Sequence, residues 1–308
     1  MPSNQTPLGA LPARFRRTRL LIVGCGDVGL RVARALPPGV RVLALTSSPG
    51  RVPQLRAAGI VPLQGNLDDP ASLARLAGLA QRVVHLAPPP VDAPDEWWRD
   101  LRTQALLRAL RRRSAPGVVV YGSTTGVYGD CAGALVNEAR SIAPRTPRAQ
   151  RRVDAERQLR VFGRAAGVRT SVLRIPGIYA PDREGGTPRD RLLRRTPVLA
   201  PQDDVYTNHI HADDLARAVR AALWRGRPQR VYHASDDSVL KMGDYFDLAA
   251  DLYGLPRPPR IARAAAGGQL PASLLSFMGE SRRLDNTRLK KELRLRLRHP
   301  TVATGLRP

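Results

Sequence analysis

The sequence predicts an α/β fold, a doubly wound parallel sheet with helices on both faces and a smaller lobe formed late in the chain. Three observations carry that prediction. Short apolar runs alternate with stretches of helical period over residues 19–175, a glycine-rich turn follows the first run, and the rhythm breaks after Ile175. Strands separated one by one by helices favour a parallel sheet, because parallel neighbours need a crossover element between them.

Residues 20–23 form the first apolar run, ending at Gly24, and residues 27–36 carry helical period. A second strand is expected over 40–45, a helix over 52–58 and a third strand over 60–63. The fourth strand is read at 82–86, the first long helix at 95–113 and the fifth strand at 118–121. A second long helix over 147–164 and a sixth strand over 170–175 complete the series. These runs are apolar almost throughout, as strands buried on both faces are. Residues 176–209 hold Pro, Gly and charged residues and read as irregular loops. Helices over 213–224 and 242–253, a strand at 231–233, a loop over 256–268 and a short helix over 289–297 follow. The expected division is an extension over 1–18, a nucleotide-binding core over 19–175 and a substrate lobe over 176–308. Within the lobe, residues 206–233 return to the core.

The 308 residues carry a formal charge of +24, and all but three of the 50 basic residues are arginine. The arginines are spread over nearly every predicted helix, and aromatics make up only 5% of the chain. A nucleic-acid surface clusters its charge and interleaves aromatics, so no specific nucleic-acid partner is expected. No apolar run approaches the roughly 18 residues of a membrane span. The Arg-rich start has the flavour of an organelle transit peptide but is short and broken by Pro7 and Pro12. A solvated extension and cytoplasmic residence are the expectation. Cys25 and Cys131 are too few for a disulfide framework or a cysteine-rich metal site.

Gly24-Cys25-Gly26-Asp27-Val28-Gly29 matches G-x-G-x-x-G between a strand and a helix. Gly24 permits the tight turn, Gly26 leaves room for a pyrophosphate, and Gly29 lets the helix pack closely on the strand. Asp27 and Val28 open that helix, whose N-terminal N–H groups and partial positive charge suit phosphates. The pattern in this context predicts a Rossmann-type dinucleotide site, rather than a glycine-rich turn without a ligand. The second strand ends in Thr46-Ser47-Ser48 with Arg51 beyond and no carboxylate. Hydroxyls and an arginine there suit a ribose 2′-phosphate, so NADP is expected ahead of NAD.

With these residues in view, the chain resembles the short-chain dehydrogenase/reductase superfamily, in its extended epimerase/dehydratase branch. The resemblance covers roughly residues 19–300 and rests on ordered motifs. These are the glycine loop, Gly65-Asn66-Leu67-Asp68, His85-Leu86-Ala87-Pro88, Tyr121 to Gly129, Leu173 to Pro181 and His209 to Ala216. Ala87-Pro88-Pro89 and the late Ser281 to Asn286 look most like an atypical bacterial subgroup. The resemblance implies that Asn66, standing where Asp is usual, and Leu67 line the adenine pocket. It places Ala87, Pro88 and Pro176 beside the cofactor. It also puts Thr124, three residues before Val127, in the place of the catalytic hydroxyl, with Ser123 as alternate.

The family's chemistry uses a tyrosine acid/base and a lysine four residues later, whose charge lowers the tyrosine pKa. In the register set by Glu156, those places hold Ala149 and Val153. Every lysine lies at 241 or later, and no tyrosine has a lysine four residues on. Arg151 or Arg152 could replace the charge, and Tyr179 or Tyr128 the acid. His209, His211 and Asp213 have metal-like spacing, but Asp213 reads better as an N-cap, so no metal is expected. Trp97 and Trp98, on the first long helix, read as packing residues or as a homodimer face. The expectation is an epimerase/dehydratase-like or reductase-like protein acting on a small hydroxyl or carbonyl substrate, such as a nucleotide sugar, with a non-standard acid/base. The alternative is a non-catalytic NADP(H)-binding regulatory or partner-binding protein.

Overall fold

The computed structural model describes residues 17–90 and 96–307. Most of the extension expected over 1–18, and Asp95 at the expected start of the first long helix, lie outside the described residues. In chain order the elements begin with β1 (Arg19–Val23), α1 (Asp27–Arg34), β2 (Arg41–Thr46), α2 (Val52–Ala57), β3 (Val61–Gln64), β4 (Arg82–His85), α3 (Leu101–Arg111) and β5 (Val118–Thr124). They continue with β6 (Leu135–Val136), α4 (Pro147–Ala165), β7 (Arg169–Ile175), β8 (Gly177–Tyr179), α5 (Arg189–Leu193), β9 (Val198–Leu199), β10 (Tyr206–Thr207) and β11 (His209–His211). The remainder are α6 (Ala212–Arg225), β12 (Arg230–His233), β13 (Leu240–Lys241), α7 (Met242–Tyr253), β14 (Arg260–Ile261), α8 (Arg263–Ala266), α9 (Ala272–Met278), β15 (Arg283–Leu284), α10 (Thr287–Glu292) and α11 (Val302–Gly305).

The central sheet runs β12-β7-β5-β4-β1-β2-β3, and every neighbouring pair is parallel. Side chains alternate along each strand, so Leu20 and Ile22 of β1 enter one core and Leu21 and Val23 the other. The first core takes Val32 from α1 and Leu215, Val219 and Leu223 from α6. The second takes Leu106 and Leu110 from α3 and Leu159 and Phe162 from α4. Helices therefore cover both faces, which is why the strands are apolar on both sides. The strand order reverses at β1, flanked by β2 and β4, and a crevice opens at the carboxyl ends there.

Beyond Ile175 the chain is more ordered than its composition suggests. The stretch 176–209, expected as irregular loop, holds β8, α5, β9, β10 and the start of β11. β8 pairs in parallel with β11, β9 with β14, and β10 runs antiparallel to β13. These strands span two or three residues, too short for a period to show in sequence. The segment 256–268 likewise contains β14 and α8. β12 returns to the edge of the central sheet beside β7. Leu289, Leu293, Leu295 and Leu297 pack into the α1–α6 core, although α10 ends at Glu292. A separate cluster built from Val198, Phe246, Ala249 and Leu306 holds the lobe.

Two local expectations need correction. α3 starts at Leu101 because the Asp100 side chain caps it, accepting from the Thr103 N–H at 2.9 Å. Trp97 and Trp98 consequently stand in the turn before the helix, and both are exposed rather than packed. The N-cap of α6 is His211, whose Nδ1 accepts from the Asp213 N–H at 3.2 Å, so Asp213 is the second helical residue instead.

Candidate functional site

The glycine loop sits where β1 turns into α1. Gly24 has φ +84°, and a Cβ there would come within 2.3 Å of the Ala87 nitrogen. Only glycine lets the ends of β1 and β4 approach so closely. A Cβ at Gly29 would press on Gly24 O and Ile22 at 3.3 Å, whereas nothing lies within 4 Å of one at Gly26. Gly26 caps α1 without any side-chain bond, leaving N–H groups of the first turn open to a ligand. Asp27 is held back by Arg31, which also binds Asp182 and Asp213 at 2.7 and 2.6 Å. One guanidinium thus ties α1 to the loop after β8 and to α6.

Along the same carboxyl edge, Thr46 Oγ1 closes a turn with the Ser48 backbone at 3.2 Å, and the Ser47 carbonyl accepts from Gln64. Among the described residues, the Arg51 guanidinium donates to Gln54 at 3.3 Å. Burial pushes the Cys25 thiol up to about 11, and the Arg51 charge opposes that rise. Asn66 Oδ1 accepts from the Asp68 N–H at 3.1 Å. Arg102 grips Asp68 at two points, holding its carboxyl below the usual range, and also reaches the Pro88 carbonyl at 3.2 Å. Leu67 and Ala87 are buried and Pro88 is exposed.

A cavity of about 760 Å³ starts at Gly24 and Gly26, passes Ser123, Thr124 and Pro176, and ends in the lobe at Tyr245. Asp27, Val28 and Gly29 share its wall. The paired hydroxyls differ in availability. Ser123 Oγ is buried and donates to Glu156 at 2.7 Å. Thr124 is half-buried, lines the cavity and accepts from the Gly126 N–H at 3.2 Å.

Ala149 lines the cavity in the place of the missing tyrosine, and Val153 packs on the small cluster around Val127 and Tyr128. Of the two arginines considered, Arg152 lines the cavity and donates to Tyr121 Oη and Gly122 O at 3.0 and 2.7 Å. Arg151 turns to the Trp97 carbonyl at 3.0 Å. The Tyr128 hydroxyl is buried, accepts from Arg174 at 2.6 Å and meets His233 Nε2 at 2.5 Å. Tyr179 borders the cavity, but its hydroxyl donates to the Thr301 carbonyl at 3.2 Å. Burial raises the pKa of both tyrosines.

The histidines separate. His209 is stacked on Tyr245 at 4.2 Å, and burial pushes it down to about 4. His211 stacks on His299 at 3.8 Å, and these two with Asp213 place ligand atoms within 4.8 Å of one another. Asp213 is already paired with Arg31, and His211 Nδ1 is the α6 cap, so each has a structural partner.

Sequence reasoning missed Arg148, Arg183, Arg191, Glu280 and Arg282, all on the cavity wall. Arg282 donates to Glu280 and the Gly129 carbonyl at 2.8 Å each. In a chain with so much arginine, nothing local marks those few.

A model of the NAD dependent epimerase/dehydratase family matches residues 20–235. The chain is 29% identical over 191 residues to a dTDP-glucose 4,6-dehydratase of Mycobacterium tuberculosis, covering 57% of each. It is 28% identical over 238 residues to a UDP-glucose 4-epimerase of Azospirillum brasilense, covering 67% of this chain and 68% of that one. The match thus spans little more than half the length of the dehydratase. Among solved structures, a conserved protein of unknown function from Silicibacter pomeroyi superposes with TM-score 0.77 at 30% identity, covering 94% of this chain and 96% of that chain. A UDP-glucose 4-epimerase from Thermotoga maritima, solved with UDP-glucose, has TM-score 0.76 at 20% identity and the same coverage. MoeE5, solved with UDP-glucose and NAD, has TM-score 0.73 at 22% identity, again over 94% and 96%. From the glycine loop, the sheet order and the family match over 20–235, this chain belongs to the NAD dependent epimerase/dehydratase family.

Proposed function

We propose that this protein binds NAD(P) at the glycine loop and acts on a hydroxyl or carbonyl group of a nucleotide sugar, with proton transfer handled without a tyrosine–lysine pair. One observation carries the reading: a single cavity joins Gly26, Thr124 and the lobe. A dinucleotide and a second ligand can meet there beside the Thr124 hydroxyl. The curated relatives named for dTDP-glucose and UDP-glucose support the substrate class. The nicotinamide, when bound, supplies a hydride donor or acceptor. Thr124 orients the substrate oxygen through its own O–H. Arg152, fixed by Tyr121 and Gly122, puts a positive charge on the same wall, where it favours an anionic oxygen. Arg51, with Thr46 and Ser47 at the end of β2, supports NADP as the preferred dinucleotide.

The test is a fluorescence titration with NADPH and NADH, followed by loading with NADP+ or NAD+ and addition of UDP-glucose while the absorbance of the reduced nicotinamide formed is recorded. Saturable dinucleotide binding and a redox change on adding sugar nucleotide are expected. Failure of both dinucleotides to bind removes the reading. A second reading, dinucleotide binding without turnover, is favoured by one specific observation: the Tyr128 and Tyr179 hydroxyls are both committed to partners of the protein's own. Tight NADPH binding with no redox change across sugar nucleotides would select it.

A further inference from the structure

We propose that Arg191 reads a negatively charged group of the substrate, a phosphoryl or carboxylate oxygen, at the lobe end of the cavity. The inference rests on the cavity being a substrate site. α5 carries Arg191 against α7, where its guanidinium lies over the Phe246 ring, 4.2 Å from the centroid. Nε and Nη2 are buried without a hydrogen-bond partner. Arg191 also lines the cavity.

Three buried arginines are answered by carboxylates. Arg174 has Glu156, Arg31 has three aspartates, and Arg282 has Glu280. Among the described residues Arg191 instead meets an aromatic face, which fixes the guanidinium plane without using its N–H donors. A half-buried cation left so is unfavourable for the unliganded fold, and desolvation depresses its pKa. A planar fork with free donors matches the oxygens of phosphate or carboxylate. The wider wall agrees. Among the described residues lining the cavity, the carboxylates are Asp27 and Glu280, and each is paired with its own arginine. Arg148, lying over Phe277 at 4.9 Å, adds a further cation, so an entering anion meets uncompensated positive charge.

The experiment compares the full chain with Arg191→Met, both saturated with dinucleotide, in calorimetric titrations with uridine, UDP, UDP-glucose and UDP-glucuronic acid. Thermal melts without ligand run in parallel. The variant is expected to keep its dinucleotide affinity, lose roughly 10- to 100-fold in affinity for the anionic ligand, and melt at a higher temperature when empty. A fall in the UDP-to-uridine ratio assigns the group to a phosphoryl. A fall in the UDP-glucuronic acid to UDP-glucose ratio assigns it to a carboxylate. Unchanged ratios overturn the proposal, and so does a lower melting temperature, which would make Arg191 a structural residue. Wild-type protein that binds dinucleotide but none of the anions also overturns it, with the cofactor reading intact. Absence of dinucleotide binding removes the underlying reading as well.

Discussion

Arg174 and Glu156 face each other in the interior as a two-point ion pair, Nε to Oε1 at 3.1 Å and Nη2 to Oε2 at 2.8 Å, both sealed from solvent. β7 supplies the arginine and α4 the glutamate. Ser123 joins through Glu156, and Tyr128 joins through Arg174 and passes on to His233 of β12. Four elements are thereby locked together directly behind Thr124.

Removing one partner of a buried pair leaves an uncompensated charge, typically worth about 3–5 kcal/mol. Glu156→Leu should therefore lower the unfolding free energy by that order in urea titrations. The double variant Glu156→Leu/Arg174→Met should lose clearly less than Glu156→Leu alone. Equal loss in both would show that the pair's charge is not what matters.

The glycine loop separates fold from ligand. Gly24→Ala would force a Cβ into the Ala87 backbone at 2.3 Å from positive φ, and a loss of roughly 2–4 kcal/mol is expected. Gly26→Leu meets nothing within 4 Å. It should fold with an unaltered melting temperature and bind neither NADPH nor NADH. Retained binding in Gly26→Leu would place the dinucleotide elsewhere.

Thr124 and Ser123 should part in the same way. Thr124→Val removes a hydroxyl that faces the cavity, so a roughly 100-fold loss of turnover with little change in stability is expected. Ser123→Ala removes a donor to buried Glu156, so its effect should appear in the melt, at about 1–3 kcal/mol. Steady-state rates and thermal melts on both variants distinguish the two roles.

Buried histidines set the pH dependence. Burial pushes His85 down to about 3 and His233 and His209 down to about 4, from 6.5. The unfolded chain takes up these protons first, so stability is full above pH 6.5 and is lost as pH falls towards 4. Asp236 acts oppositely. Burial raises it to about 7, so the folded state gains stability as pH falls below 7. Asp100, Glu138 and Asp204, also raised by burial, act with Asp236 and limit the drop in urea midpoint that the three histidines cause between pH 7 and pH 5. Asp236→Asn should steepen that drop and stabilise most above pH 7.

Arg51→Gln should weaken NADPH roughly tenfold and leave NADH unchanged, because a 2′-phosphate distinguishes the two. An equal effect on both would assign Arg51 to the glycine loop's phosphates or to nothing.

The amino-acid pattern determined the sheet and its switch point. Runs such as Leu20–Val23, apolar at every position, require cover on both faces, and Gly24 and Gly26 mark a turn that only a close strand and an open ligand space explain. The absence of a tyrosine–lysine pair was equally plain, because no tyrosine precedes a lysine by four residues anywhere. Tertiary structure decided which of the similar side chains face the cavity. Arg152 and Arg151 are neighbours on one helix, yet one lines the cavity and the other turns to Trp97. Ser123 and Thr124 are neighbours on one strand, and alternation sends one to Glu156 and leaves the other half-open. Arg191 is one arginine among dozens until Phe246, some fifty residues later in the chain, is placed beneath it. Periodicity reports which face of an element is apolar. It carries no information on what a distant segment brings opposite that face, and that is where partners and cavities are made.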